Sequence, residues 1–194
     1  MKKILIILLL FNLNFEDVAS IEADIFVQST VNRASQILSK NISKEEKINE
    51  LKLVAKDTVD IRGVGFYSLG STRKNLDDNQ KKKYLKLFEK YFLKSFSSRL
   101  SEYSDPKINV LSQNFINNKY TMVSSILVGD EKRPEISIEW RVYTKDPDNY
   151  LIRDLIIEGL SLARTQREEF NSVIQSAGGD INVLFNNLRK FNER

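Results

Sequence analysis

The chain has 194 residues, of which 41% are hydrophobic and 29% are charged, a composition typical of one globular domain. It contains no Cys and no His, which excludes disulfide frameworks, thiol nucleophiles, His general bases and zinc sites built on those residues. The 30 basic and 26 acidic residues give a formal charge of +4, a mild excess that favours anionic partners without indicating nucleic acid.

The first residues have the pattern of an export signal. Two lysines follow the initiating Met, and an unbroken apolar run over residues 4–11 is too short to span a bilayer. We therefore predict a secretory signal peptide over residues 1–23, with small residues suited to cleavage after Ser20 or Ala23. An N-terminal anchor that is never cut is the alternative. In a bacterium, export would place the rest of the chain in the periplasm.

The chain that follows is predicted to form helices, then strands, then helices again. Helical spacing of apolar residues and two expected capping boxes, Ser43 with Glu46 and Asp77 with Gln80, predict three helices. They are expected over residues 24–40, from residue 43, and from residue 77 to about residue 103. The passage between Gly63 and Gly70, short and helical or looped, is a candidate movable element.

Alternating apolar and polar residues in the second half predict an antiparallel meander of four strands. The strands are expected over residues 108–116, 119–128, 135–144 and 150–162, with a tight turn at Asn117-Asn118. Two helices, over residues 165–176 and 180–192, complete the chain. The predicted fold class is therefore α+β, a curved four-stranded antiparallel sheet wrapped by N-terminal and C-terminal helices.

Large apolar side chains concentrate on one stripe of the long helix and on the predicted strands. The stripe contains Phe88, Phe92 and Phe96, and the strands add Met122, Ile138, Trp140, Val142, Leu155 and Ile157. These residues either fill a solid core or line a dry cavity between the helix and the sheet. Periodicity alone allows both interpretations.

Two carboxylates fall four residues apart on the predicted fourth strand and would share a face. Asp154 and Glu158 could do acid/base chemistry if both lined a cleft that solvent reaches. The simpler interpretation is a charge at the strand end and a capped or salt-bridged Glu. A small enzyme using the pair is therefore the weaker hypothesis.

The C-terminal third carries an ordered set of residue types: an aromatic residue, an Asp, a Glu-Gly-x-Ser block, then Arg and Phe, then a Gly before the last helix. In this chain they are Tyr150, Asp154, Glu158-Gly159-Leu160-Ser161, Arg167, Phe170 and Gly178, with Leu184 and Leu188 beyond. With Leu69-Gly70, Asn79-Gln80 and Val142-x-Thr144 upstream, this set resembles the MlaC family of periplasmic phospholipid carriers, also known as toluene-tolerance auxiliary proteins of an ABC transport system.

The resemblance covers residues 25–192 and departs from the family at two places. Tyr150 stands where family members often carry Trp, and residues 71–73 lack an aromatic that the family has there. The resemblance implies an α+β domain with a deep apolar cavity that takes phospholipid acyl chains and leaves the headgroup outside. It brings no catalytic residue, cofactor or metal.

The resemblance also implies shuttling between an outer-membrane lipoprotein–porin complex and an inner-membrane ABC transporter, a traffic that maintains outer-membrane lipid asymmetry. We therefore expect a monomeric periplasmic phospholipid carrier over residues 24–194. We expect it to bind no nucleic acid, and we expect lipid to contact Phe88, Phe92, Phe96, Met122, Ile138, Trp140, Val142, Leu155 and Ile157. The alternative is an interaction protein with a solid core that docks on a membrane complex and holds no lipid.

Overall fold

A computed structural model describes residues 22–129 and 134–194, and the predicted signal segment lies outside them except for its last two residues. The helices are α1 (Ala23–Ser39), α2 (Lys44–Thr58), α3 (Ile61–Ser68), α4 (Asp78–Leu100), α5 (Leu162–Ser176) and α6 (Ile181–Glu193), and a 3₁₀ helix covers Gly70–Asn75. The strands are β1 (Ile108–Asn117), β2 (Tyr120–Leu127), β3 (Ile136–Tyr143), β4 (Leu151–Ile157) and β5 (Leu160–Ser161). The predicted α+β class is confirmed.

The sheet is an antiparallel meander in the order β1-β2-β3-β4-β5, with five strands where four were predicted. The expected fourth strand over residues 150–162 is wrong in its second half. The chain reverses at Glu158 and Gly159, whose φ angles of 49° and 79° make a tight turn, and the short β5 then pairs back on β4. Ser161 caps α5 by accepting a hydrogen bond from the Arg164 amide, so α5 begins three residues before the predicted position.

The helix starts follow the capping chemistry that the sequence predicts. Ser43 and Glu46 form a complete capping box at α2, and Asp77 and Gln80 form another at α4. In each, the first side chain accepts from the backbone amide three residues on, and the later side chain accepts from the amide of the cap. Caps of this kind contribute about 1 kcal/mol each and fix where the helix begins.

One face of the sheet is covered by α1. Ala23, Val27 and Val31 pack on buried residues of β2, β3 and β4, which are Val123, Ile138, Trp140, Val142 and Ile152. The indole N–H of Trp140 donates to the Ser125 hydroxyl at 2.8 Å, and that hydroxyl donates to the Ile138 carbonyl. No polar atom of the Trp is therefore left unpaired in this apolar layer.

A second cluster joins α3, α4, α5 and α6 around the aromatic stripe of α4. Its fully buried members include Tyr84, Phe88, Leu184 and Phe185. The Tyr84 hydroxyl donates to the Gly65 carbonyl at 3.0 Å and lies 2.9 Å from the Ser68 hydroxyl, while burial raises the pKa of Tyr84 well above its ordinary value. The phenol therefore stays neutral and ties α3 to α4.

The helix α2 packs on the C-terminal half of α1. Ile37 and Leu38 of α1 pack with Leu51 and Val54 of α2 in a third, smaller cluster.

Among the residues that the structure describes, no helix combines the length and the hydropathy that a membrane span needs.

Gly65→Ala tests how tightly α3 is packed on α4. A Cβ at position 65 would lie 2.8 Å from the Phe88 ring, which is itself held by Tyr84, Phe92 and Phe170. Alanine gains about 1 kcal/mol of helix propensity, but overpacking costs about 1–3 kcal/mol, so we expect a net loss of about 1 kcal/mol in the free energy of unfolding.

Urea denaturation measures this loss. The Phe88→Leu background is the control, because a smaller side chain leaves room for the new methyl group and the loss from Gly65→Ala should shrink there. A Gly65→Ala variant more stable than the parent would contradict this packing.

Candidate functional site

A β-bulge in β4 places two charged side chains on the same face of the sheet. Arg141 lies opposite Asp154, whereas the next residue, Val142, lies opposite Ile152, so Arg153 has no partner across the strand. The extra residue turns Arg153 and Asp154 to the same side of the sheet. That side is the one away from α1, because Arg141 alternates with the buried Trp140 and Val142.

Arg153 clamps the start of α3 to the sheet. Its Nε and Nη2 atoms lie 2.7 Å and 2.6 Å from Oδ2 of Asp60, and its Nη1 atom donates to the Tyr120 hydroxyl at 2.7 Å. The guanidinium lies 4.3 Å from the ring centre of Tyr143. Burial alone would lower the pKa of Arg153, but the Asp60 carboxylate and the Tyr120 hydroxyl raise it above its ordinary value. Asp60 also caps α3 by accepting from the Gly63 amide.

Asp154 clamps the start of α5 in the same way. Its side chain is 2% exposed and accepts hydrogen bonds from the Ser161 hydroxyl at 2.6 Å and from the Ala163 amide at 3.0 Å. Nη1 of Arg141 lies 3.8 Å away and supplies a nearby positive charge. Because both oxygens are engaged, this carboxylate holds structure and is poorly suited to take a proton from a substrate.

The predicted carboxylate pair on a strand face is wrong. Glu158 lies in the tight turn after β4 and not on the strand, and its side chain accepts from the Ser137 amide. It is exposed to solvent, whereas Asp154 is buried. The two groups therefore do not line one cleft, which removes the geometric basis of the acid/base hypothesis.

A cavity of about 340 Å³ lies between the two clamps. Its walls are α3, the start of α5, the tip of the β1–β2 hairpin and the sheet face that carries the bulge. The lining residues are Gly63, Val64, Tyr67, Ile116, Asn117, Tyr120, Arg141, Arg153, Asp154 and Ala163. The helices and the hairpin supply the apolar side chains of Val64, Ala163 and Ile116, and the sheet supplies two guanidinium groups, the Asp154 carboxylate and the Tyr120 phenol, so the cavity is amphipathic.

Val64 connects this cavity to the helical core. Its side chain lines the cavity and also belongs to the buried cluster that surrounds Phe88. A wider depression of about 420 Å³ on the outer side of α1 has no comparable continuation. It is lined by polar residues of that one helix and its C-terminal end, Asn32, Ser35, Gln36, Ser39 and Lys40, which cannot enclose a ligand. The cavity beside α3 is therefore the better candidate for a binding site.

The three predicted rings of α4 form one stack, which begins at Phe88 in the helical cluster. Phe88 is 1% exposed, and its ring centre lies 6.1 Å from that of Phe92, which lies 5.5 Å from that of Phe96. Phe92 and Phe96 are half-buried. The stack thus runs from the deep core, next to Gly65 of α3, toward the surface of α4.

The predicted sheet residues lie elsewhere. Ile138, Trp140 and Val142 pack under α1 together with Leu155, and Ile157 lies opposite Ile138 on β4. Met122 lies opposite Arg141, on the other face of the sheet. The structure therefore does not bring the nine predicted residues together, and none of them lines the cavity beside α3. Their contact with lipid stays a prediction.

Sequence reasoning missed most of the lining residues for a physical reason. Strict alternation along β4 assigns Arg153 and Asp154 to opposite faces, and only the bulge puts them on one. The polar face of β3 gave no signal, because Ser137, Glu139, Arg141 and Tyr143 follow the ordinary pattern of a half-exposed strand. The passage from Gly63 to Gly70, predicted as movable, supplies one wall of the cavity.

Comparison with solved structures finds the same fold in a lipid-binding protein. A phospholipid-binding protein from Ralstonia solanacearum, solved in complex with a phospholipid, is similar with a TM-score of 0.75 and 16% sequence identity. The match covers 89% of this chain and 97% of that one. Among curated proteins, none is similar enough to count as a match.

The family model described as MlaC protein matches residues 28–190, which is most of the chain. Three of the motif residues that suggested this family stabilise the fold. Asp154 and Ser161 fasten α5 to β4, and Gly159 makes the turn between β4 and β5. By this match, the chain belongs to the MlaC family.

Proposed function

We propose that this chain binds a phospholipid and carries it through the aqueous periplasm. The observation that carries the proposal is the amphipathic cavity between α3 and the bulged face of the sheet, which adjoins the aromatic core through Val64. Membership of the MlaC family and the fold shared with a protein solved in complex with a phospholipid support it.

The physical need for such a carrier follows from the cost of exposing acyl chains. Each CH₂ group withdrawn from water is worth about 0.8 kcal/mol, so a sixteen-carbon chain costs about 12 kcal/mol to expose. Lipid therefore does not cross a water layer freely at a useful rate. An apolar interior lined by rings shields the chain without leaving polar groups unpaired, and the chemistry requires neither Cys nor His.

For the polar end of the lipid, we propose Arg141. Its side chain is 41% exposed and lines the cavity, and its charge is only loosely engaged by Asp154 at 3.8 Å. The guanidinium of Arg153, in contrast, already donates hydrogen bonds to Asp60 and Tyr120. A guanidinium that is free on one side suits a phosphate, which accepts charge-assisted hydrogen bonds.

For the acyl chains, we propose the helical half of the molecule, along the stack of Phe88, Phe92 and Phe96. A cavity of 340 Å³ is at the lower end of ligand pockets, so a diacyl lipid enters only when α3 moves from the sheet. Lipid would reach five other predicted contacts only if α1 moved away from the sheet; these are Ile138, Trp140, Val142, Leu155 and Ile157. Met122 lies on the opposite face of the sheet, the face that carries the cavity. Experiment can distinguish lipid entry beside α3 from lipid entry beneath α1.

We also propose the cellular setting that the family implies. Residues 1–23 contain the export signal, the mature chain acts as a monomer in the periplasm, and it exchanges lipid with an inner-membrane ABC transporter and an outer-membrane lipoprotein–porin complex. No catalytic step is part of this proposal. Transport of this kind supports outer-membrane lipid asymmetry.

Cleavage of the signal is expected after Ser20 and not after Ala23. Ala23 is the first residue of α1, is 3% exposed, and donates its amide to Oε1 of Gln113 at 3.0 Å. Removing it would delete a buried contact between α1 and β1. Intact mass measurement of the exported protein should therefore give a chain that begins at Ile21, and a chain beginning at Asp24 would contradict the argument.

Arg141→Gln should weaken phospholipid binding at least about tenfold, because a charge-assisted hydrogen bond to phosphate contributes about 1.5–3 kcal/mol. Binding of a diacylglycerol with the same chains, which has no phosphate, should hardly change. Fluorescent analogues of both lipids measure this in titrations. Arg33→Gln is the matched control, since Arg33 is exposed to a similar degree but pairs with Asp57 away from the cavity. Equal loss for both lipids would contradict a phosphate contact.

Quenching by phospholipids brominated along the acyl chains tests where those chains lie. Trp140 is the single Trp of the chain and packs under α1, so its fluorescence should change little on loading. The indole introduced by Phe92→Trp should be strongly quenched. Strong quenching of Trp140 in the parent protein would instead place the chains on the α1 face of the sheet.

A further inference from the structure

The strand β1 forms one edge of the sheet, since β2 is the only strand that pairs with it among the residues that the structure describes. The helix α1 covers the beginning of this edge, where the Val110 amide donates to Oε1 of Gln28 at 3.4 Å. From Leu111 to Asn117, seven consecutive residues are exposed. We call residues 111–117 the open edge. Along it, alternate residues direct their backbone N–H and C=O groups away from β2.

The open edge has little of the usual protection against strand pairing. It contains no charged residue and no Pro, and its large apolar side chains Leu111, Phe115 and Ile116 are 60%, 73% and 47% exposed. Natural sheets commonly blunt such edges with charges, prolines or bulges, because exposed backbone groups recruit a further strand. Two register shifts interrupt the pairing of β1 with β2, at Leu111 and at Ile116, but the four residues between them keep a regular register. That stretch can therefore pair on its outer side as well.

We propose that the open edge docks an extended segment of a partner protein, which joins the sheet as a further strand beside β1. The inference goes beyond the carrier function, because neither lipid binding nor the cavity requires it. A bilayer does not suit this edge, since backbone N–H and C=O groups that enter hydrocarbon without partners are strongly disfavoured. Another strand supplies a donor and an acceptor for each of them.

The charges around the edge indicate what kind of segment fits. Lys107 precedes β1, and Lys119 lies in the turn that follows it. If two copies of this chain paired along the whole strand, in either direction, lysines would meet at both ends, which disfavours a second copy. Glu22 lies beside the middle of the strand, where Nε2 of Gln113 donates to its Oε2 atom at 3.2 Å. A fitting partner segment is therefore uncharged in its middle and acidic at its ends.

Fluorescence anisotropy with labelled synthetic peptides and the mature chain tests the proposal. The probe peptide is as long as β1, alternates Thr with Val, and has Glu at each end. It should bind, whereas the same peptide with alternate amides N-methylated should not, because methylation removes the donors that pair with β1. A peptide with Lys at each end should bind at least about threefold more weakly than the probe, since like charges then face each other. Equal binding of the methylated peptide would overturn the proposal.

Two sets of variants separate the open edge from the rest of the surface. Leu111→Thr should weaken binding of the Glu-ended peptide about threefold, because it removes an apolar cross-strand contact. Leu160→Thr is the matched control, since Leu160 is also 60% exposed but lies on β5, at the other edge of the sheet. Its peptide binding should equal that of the parent. The double variant Lys107→Glu and Lys119→Glu should prefer the Lys-ended peptide. Equal loss in the two Leu variants would contradict docking at β1.

Amide hydrogen exchange locates the bound peptide. Exchange should slow in residues 111–117 and stay unchanged in β5. Uptake of a fluorescent phospholipid should be the same with and without saturating peptide, because a strand added at the edge covers neither face of the sheet. A peptide that competes with lipid, or that protects residues outside β1 alone, overturns the docking proposal and leaves the carrier function standing. Self-association of the parent chain through β1, detected by analytical ultracentrifugation, would assign the edge to a second copy and also overturn it.

Discussion

The candidate site depends on one extra residue in β4. Without the bulge at Arg153, strand alternation would point either Arg153 or Asp154 into the apolar layer under α1, where an unpaired charge costs several kcal/mol. With the bulge, both side chains reach the same face and each fastens a helix: Arg153 holds α3 through Asp60, and Asp154 holds α5 through Ser161 and Ala163. The cavity is the space between these two attachments.

The two faces of the sheet consequently have different roles. The face under α1 is mainly apolar and its centre is buried, with its one indole N–H satisfied by Ser125. The other face presents Tyr120, Arg141 and Arg153 to a helix that is attached at its N-terminus and bordered by a 3₁₀ helix at its C-terminus. Movement of α3 would therefore open the cavity without disturbing the α1 layer.

Much of the fold could be predicted from the sequence because its signals are local. The capping boxes at Ser43 and Asp77 fix two helix starts, and alternation fixes β1 to β3 within one or two residues. The end of β4 could not be predicted in this way. Glu158 adopts a left-handed conformation only because Gly159 and the pairing of β5 complete the turn, and alternation alone extends the strand through it.

The candidate site was harder to predict than the fold, because its residues come from α3, three hairpin positions, one position on β3, the bulge in β4 and the start of α5, which have no common period. The aromatic stripe of α4 lies on one helix as predicted and its rings stack, while its contact with lipid stays a prediction; the apolar alternation of β3 identifies the buried layer under α1 and not the cavity. The motif spacing around Asp154 and Ser161 was more informative about the family than hydropathy was, because this spacing reflects the attachment of α5 to β4.

Native mass spectrometry of the exported protein, purified from periplasm without detergent and followed by lipid analysis of its organic extract, tests the central claim most directly. The account predicts one phospholipid per chain, with a mass that identifies its headgroup and acyl chains. A stably folded protein that emerges free of lipid, and that also takes up none from vesicles or from monomeric solution, would contradict it and favour an interaction protein with a solid core.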